Sequence, residues 1–349
     1  MINFKEELFK YKTIAITGME KNTGKTTTLI SLINMLKDYK LGLTSIGRDG
    51  EDKDVVTASD KPRIYINEGT LIATAKQCIL KSDVTFEILN VMNINTPLGE
   101  IIIAKSLTGG FIELAGPSTK TGIKEVINIF DYIGAEKIIV DGALSRKSFA
   151  SPEVTESCIL CTGAEYSENI NIISEETVHY VRMLSIEKID ESVEKLYKEV
   201  IESAKLDVRI AFIYKDSVVT GNSQTSIIAA KEVINSFNEG LKYIFIKGIV
   251  TDSFINDILN SSFQVNKVLF VVEDGTKLFV SNESYSRFLL KGGIIKAVKK
   301  INIIGISVNP KSVSGMEVDF EKLKSILENK INLPVFNGIK INLPEKVYE

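Results

Sequence analysis

Gly18, Gly24, Lys25 and Thr26 have the types and the spacing of residues that hold a polyphosphate. An apolar run, Ile14–Ile16, leads into Gly18; five residues follow, then Gly24-Lys25-Thr26, and beyond them Leu29, Ile30, Leu32, Ile33 and Leu36 recur at helical intervals. A strand, a glycine loop and a helix start bring backbone N–H groups and the positive end of a helix dipole to one point, where an anion is favoured. In that geometry Lys25 reaches the β- and γ-phosphates and the Thr26 hydroxyl holds Mg²⁺. Lys21, Asn22, Thr23 and Thr27 complete the lining of the loop. The plainer alternative is a glycine turn with no ligand; both flanking elements fit the context that the phosphate reading requires.

A phosphate loop of this kind needs a carboxylate nearby to orient Mg²⁺ or its water ligands. Lys137–Val140 reads as a buried strand ending in Asp141, about 115 residues beyond the loop, at the strand end where ligands of parallel sheets collect. A strand-end Asp that only makes a turn is the alternative. The apolar stretch Leu41–Ile46 runs into the charged turn Gly47-Arg48-Asp49-Gly50-Glu51, which makes Asp49 a second metal candidate by analogy and loop position. Lys25, Asp49 and Asp141 are therefore the catalytic candidates, and Thr26, Asp49 and Asp141 the metal candidates. Arg146 or Lys147 could neutralise charge developing on a transferred phosphate, or face solvent.

Cys158 and Cys161 have C-x-x-C spacing, but a strand puts residues three apart on opposite faces and no second pair completes a zinc set. Buried strand cysteines are expected instead. The single histidine, His179, argues against a histidine-rich metal site and a His-based triad, and a lone helical histidine is expected to be structural.

At 349 residues the chain has room for two domains, and 44% hydrophobic with 25% charged residues is an ordinary globular composition. A net charge of −3 leaves no footprint for nucleic acid. No apolar run approaches the roughly 20 residues of a membrane span. The start, MINFKEELFKYK, lacks the long apolar core of a secretory signal, and three cysteines without a framework suit a reducing compartment. A cytoplasmic protein with no membrane or nucleic-acid partner is expected.

These residues must be carried by an α/β fold. The expected organisation is a parallel sheet with the phosphate loop over residues 1–205, carrying a β-rich insertion at about 55–110, and a second α/β domain over 206–349. The insertion shows short strands separated by glycine and proline turns, and its last strand, Phe111–Leu114, is expected to return to the main sheet. The second alternation has no glycine phosphate loop, so one nucleotide site is expected. Within it, Val308-Asn309-Pro310-Lys311-Ser312 reads as a strand end that either turns or touches a partner.

The common phosphate loop has four residues between its glycines; the longer spacing here resembles the dethiobiotin-synthetase branch of P-loop proteins, whose relatives include the ParA/MinD ATPases. The resemblance runs over roughly residues 12–190, and implies a P-loop NTPase sheet. Lys21 stands four residues before Lys25, where the signature lysine of the ParA/MinD type stands five before, so that role is not carried over. In relatives of this fold the corner after the strand Ser157–Thr162 contacts the base, which makes Gly163 a nucleotide contact by resemblance. No Asn-Lys-x-Asp guanine motif follows that or another strand, which favours ATP over GTP.

A narrower resemblance rests on TSIGRDGE (Thr44–Glu51), GTLIATA (Gly69–Ala75), TPLGEIIIA (Thr96–Ala104), LAGPS (Leu114–Ser118) and IVDGALSRKSFASP (Ile139–Pro152). These strings resemble the P-loop subunit of the lysine 5,6-aminomutase reactivating system. That resemblance implies an ATP-dependent reactivase or chaperone component using ATP and Mg²⁺. Its partners would be a MutS-related subunit and an aminomutase that uses adenosylcobalamin and pyridoxal phosphate. The alternative is a small-molecule ligase or kinase of the dethiobiotin-synthetase type, which has no need of the insertion or of a second domain.

Overall fold

The structure, a computed structural model, describes residues 3–46, 63–142, 151–202, 208–221 and 226–339. The chain opens with helix α1 (Phe4–Lys10), whose N-cap Asn3 accepts a hydrogen bond from Lys5 N at 3.0 Å. Strand β1 (Thr13–Gly18), helix α2 (Lys25–Met35) and strand β2 (Leu41–Ser45) follow. The insertion contains β3 (Ile64–Ile66), β4 (Leu71–Ala75), α3 (Lys76–Leu80), β5 (Phe86–Thr96), β6 (Gly99–Ser106) and β7 (Gly110–Ile112). Helix α4 (Lys120–Tyr132), capped by Thr119, leads to β8 (Lys137–Asp141), β9 (Ser157–Gly163) and α5 (Ile170–Leu184).

Next come α6 (Glu191–Tyr197) with a π turn over Lys198–Glu202, β10 (Ile210–Tyr214), β11 (Val218–Gly221), α7 (Ser226–Ser236), β12 (Leu241–Ile246) and β13 (Val250–Thr251). They are followed by α8 (Asp252–Leu259), β14 (Leu269–Val272), β15 (Leu278–Phe279), α9 (Asn282–Leu290) and β16 (Ile294–Ala297). Strand β17 (Ile303–Asn309), helix α10 (Phe320–Lys330) and strand β18 (Val335–Asn337) end the described chain. With ten α-helices among the described residues and one large, mostly parallel sheet, the fold is mixed α/β.

That sheet has nine strands in the order β18-β17-β9-β1-β8-β2-β4-β6-β5. Pairing is parallel from β18 to β4 and antiparallel between β4, β6 and β5. The central strands are buried on both faces, which is why they read as continuous apolar runs. On one face Ile14, Ile16, Leu43, Ile139 and Ile159 pack with Leu29, Leu32 and Ile33 of α2. On the other, Val126 and Phe130 of α4 cover Leu71, Ala73, Ile103 and Ile138.

The chain divides into two compact units, one formed by Met1–Val178 with Asn302–Glu349 and the other by His179–Ile301. This corrects the division into 1–205 and 206–349: the second unit is an excursion from the first, and β17, α10 and β18 belong with the first sheet. The insertion is also arranged differently from expectation. Its middle strands β4, β6 and β5 extend the main sheet, whereas β7 pairs antiparallel with β3 in a separate ladder and does not return to that sheet. A strand's apolar pattern states that it is buried but not which neighbour it takes.

The second unit, taken by itself, has a five-stranded sheet in the order β11-β10-β12-β14-β16. Phe254, Phe270 and Phe288 fill one side of its core, and Tyr197, Phe245 and Val271 the other. His179 is buried there, with Nε2 at 2.7 Å from the Val280 carbonyl. No helix among the described residues is long and apolar enough to cross a membrane.

Candidate functional site

The first unit concentrates chemistry-bearing residues where β1 leaves the sheet. Met19 N donates to Cys161 O at 3.0 Å, which pins the chain just after Gly18 to β9. Asn22 (φ 60°) and Gly24 (φ 89°) then turn the loop, and Gly24 is the N-cap of α2. Helix α2 starts with no side-chain cap and no acid in its first turn, so its first N–H groups face no carboxylate of their own turn. Thr23 Oγ1 and Lys25 Nζ both donate to the Glu20 carbonyl, at 2.9 and 2.8 Å.

Two glycines are dictated by space. A Cβ on Gly18 would lie 2.5 Å from Thr23 Oγ1 and 2.8 Å from Lys25 Nζ. At Gly24 it would lie 2.8 Å from Asn309 Cβ, in a backbone conformation that itself favours glycine. A side chain at either place would fill the cradle.

Asp141 ends β8 and is buried, in register with Ile16 of β1 and Ser45 of β2. Burial lowers the pKa of Lys25 from 10.5, opposed by the charges it feels from Cys161 and Asp141. The loop thus holds a half-buried ammonium whose electrostatic neighbours include the β8 carboxylate. Cys158 and Cys161 are both fully buried, and burial pushes their thiols up to about 12 and about 11. Among the described residues no three His, Cys, Asp or Glu side chains come together as a metal cage. A cation here would have to bring further oxygens, as Mg²⁺ does when it arrives with phosphates.

Gly163 ends β9 with φ 149° and closes against β17: Ala164 N donates to Asn309 O at 3.0 Å, and a Cβ on Gly163 would lie 1.9 Å from that oxygen. Thr177 of α5 donates to Met19 Sδ at 3.3 Å and shares a 3.0 Å hydrogen bond with Thr162. Under the loop, Thr28 Oγ1 lies 2.6 Å from Ser307 Oγ, 3.4 Å from Cys161 Sγ and 2.9 Å from Gly24 O.

Of the residues singled out from the sequence, Gly18, Lys21, Asn22, Thr23, Gly24, Lys25, Thr26 and Thr27 form one loop and helix start. Asp141 and Gly163 end the two strands that flank β1. Thr23 is fully buried and tied to Glu20 O, whereas Asn22 is exposed. Asp49, Arg146 and Lys147 lie outside the described residues. Sequence reasoning gave no role here to Ser307 or Thr28, and read Asn309 as part of a strand end that turns or touches a partner without assigning it to this loop. The run Ile303–Val308 before an Asn-Pro pair announces a strand end, but nothing local assigns that end to the first loop.

The arrangement offers an anion the α2 N-terminus with an ammonium on one side, and the Asp141 carboxylate acts electrostatically on that ammonium. No family model, curated protein or solved structure matches the chain.

Proposed function

We propose that the first unit binds Mg-ATP at Gly18–Thr27 and hydrolyses it, as a P-loop nucleoside triphosphatase of the dethiobiotin-synthetase/MinD-like class. The observation that carries this is the glycine cradle. It has no room for a Cβ at Gly18, an uncapped helix start at Gly24, and the Lys25 ammonium between them. Lys25 exchanges its Glu20 carbonyl for phosphate oxygens and neutralises charge on the β- and γ-phosphates. Thr26 and Asp141 hold or orient the Mg²⁺ that comes with the nucleotide, and the backbone N–H groups of the α2 start take the phosphates. Asp49 is the further metal candidate. Gly163 and the neighbouring Asn309 stand where β9 and β17 end, on the side proposed for the base. Adenine is preferred to guanine because no guanine-reading motif follows a strand.

The quoted sequence strings support a wider role. In it the protein is the ATP-dependent component of a cytoplasmic reactivase for an aminomutase that uses adenosylcobalamin and pyridoxal phosphate, working with a MutS-related subunit. Nucleotide state would then set the affinity for the client, and hydrolysis would release it.

Phosphate release by the purified chain, alone and with the aminomutase, tests both levels. Lys25→Ala is expected to abolish nucleotide binding, and Asp141→Asn to reduce Mg²⁺-dependent hydrolysis more than binding. Unchanged turnover in Lys25→Ala refutes the phosphate-loop assignment, and stoichiometric phosphorylation or ligation of a small acid refutes the reactivase role.

A further inference from the structure

We propose that Ser307 is a positioning residue of this anion site, acting through Thr28 to polarise the peptide that carries the Lys25 N–H. The proposal rests on the reading of the loop as a polyphosphate site. Two buried hydroxyls, Thr28 and Ser307, lie beneath that loop, and the direction of donation between them follows from the groups they meet. Thr28 Oγ1 is 2.9 Å from the Gly24 carbonyl, which has no proton to give, so Thr28 donates there. Its single proton being used, Thr28 accepts from Ser307, whose Oγ is 2.6 Å away. The chain of donation therefore runs Ser307 to Thr28 to Gly24 O. The same carbonyl also accepts Thr28 N at 2.9 Å.

The Gly24 carbonyl and the Lys25 N–H belong to one peptide group. Hydrogen bonds that draw electron density onto the oxygen make the N–H a stronger donor, and bonds in series reinforce one another. That N–H is the first of α2, one of the groups left free of helical partners to meet an anion.

Ser307 is held for this task from several sides. It stands on β17 in register with Cys161 of β9, which is in register with Gly18 of β1. A Cβ on Gly338 would lie 2.6 Å from Ser307 Oγ, and Ser31 Oγ of α2 holds the Gly338 carbonyl at 2.7 Å. Thr28 and Ser307 are 0% and 1% exposed, so their hydroxyls have no water to turn to. Buried hydroxyls that served packing alone would be as well replaced by methyl groups.

The test uses the full chain, with Mg-ATP and inorganic tripolyphosphate as probes in titration calorimetry, and the Lys25 amide resonance as a second readout. Ser307→Ala and Thr28→Val are expected to weaken both probes about 2- to 10-fold, the span of one net hydrogen bond. Both should also move the Lys25 amide proton upfield. Thr28→Ser, which keeps the hydroxyl, should restore what Thr28→Val loses. Equal affinity and an unmoved Lys25 amide in Ser307→Ala overturn the positioning role while the site itself stands. A wild-type chain that binds neither probe overturns the reading of the site, and the positioning role with it. Should Ser307→Ala fail to fold, Thr28→Val against Thr28→Ser makes the same comparison.

Discussion

Gly18→Ala separates the binding role proposed for the loop from its role in folding. Gly18 is not among the glycines with positive φ, so alanine carries no backbone strain there and stiffens the unfolded chain, worth about 0.4–1 kcal/mol of stability. Against this stands the space. The new methyl would meet Thr23 Oγ1 at 2.5 Å, Lys25 Nζ at 2.8 Å and Lys25 Cδ at 3.1 Å. Lys25 is the free end of a flexible chain and moves aside, losing its bond to Glu20 O. Thr23 is short and buried, so its hydroxyl must rotate away from Glu20 O or the loop must shift. Overpacking of this kind costs about 1–3 kcal/mol, including roughly 1 kcal/mol for the displaced hydrogen bond. Net destabilisation of about 1–2 kcal/mol is expected in urea unfolding, with Mg-ATP affinity down at least tenfold because the ammonium has been moved. Gly69→Ala is the control: its φ of +83° strains an alanine, yet nothing lies within 4 Å of the new Cβ. It should lose about 1–2 kcal/mol of stability and no affinity. If Gly18→Ala binds Mg-ATP as tightly as wild type while losing stability like Gly69→Ala, the cradle is not the binding site. If Gly18→Ala loses no stability, the packing argument itself is wrong.

Two other expectations concern the half-buried Lys25 and the buried Lys137. Lys25 has its pKa lowered from 10.5 by burial, so the affinity for tripolyphosphate should fall on the alkaline side with a midpoint below that value, and binding at high pH should take up a proton, read from the buffer dependence of the binding enthalpy. For stability the sign is opposite: between the folded pKa and 10.5 the unfolded chain keeps the proton longer, so this group makes unfolding less favourable as pH rises. A flat affinity up to pH 10.5 would argue that Lys25 is not the contact. Lys137 is 6% exposed and donates to the carbonyls of Leu8, Phe9 and Tyr11 at 3.3, 2.9 and 2.6 Å, closing the end of α1. Lys137→Met should cost about 2–4 kcal/mol in urea unfolding by stranding those acceptors, with nucleotide binding unchanged; a loss under 1 kcal/mol would mean that water replaces the ammonium.

The parts of the site that could be read from the sequence are those whose signal is local. Thr13–Thr17, Lys137–Val140 and Ser157–Thr162 are apolar on both faces because β1, β8 and β9 are covered on both faces, and Gly18–Thr27 announces itself by spacing alone. Thr28 was within reach by the same means: four residues before the buried Leu32, it lies on the inward face of α2, unlike Thr26 and Thr27. What could not be read is pairing over long distance. The run Ile303–Val308 has the same character as Ile210–Ile213 or Leu269–Val272, yet the first joins the sheet of the glycine loop and the others form the sheet of the second unit. Phe111–Leu114 failed for the same reason, since β7 finds β3 and not the main sheet.

The non-local pairing has a functional consequence. Thr28 and Ser307 are 279 residues apart in the chain, and Asn309 Cβ lies 2.8 Å from where a Cβ on Gly24 would be. The strand that completes the floor of the glycine loop is thus made only after the whole second unit has been synthesised. A fragment ending near residue 300 would keep Gly18, Lys25 and Asp141 but leave β9 with an open edge and α2 without Ser307 and Gly338, the partners of Thr28 and Ser31. The loop motif by itself is therefore insufficient for the site: the first strand supplies the cradle, and β17 and the turn after β18 supply the walls that fix it.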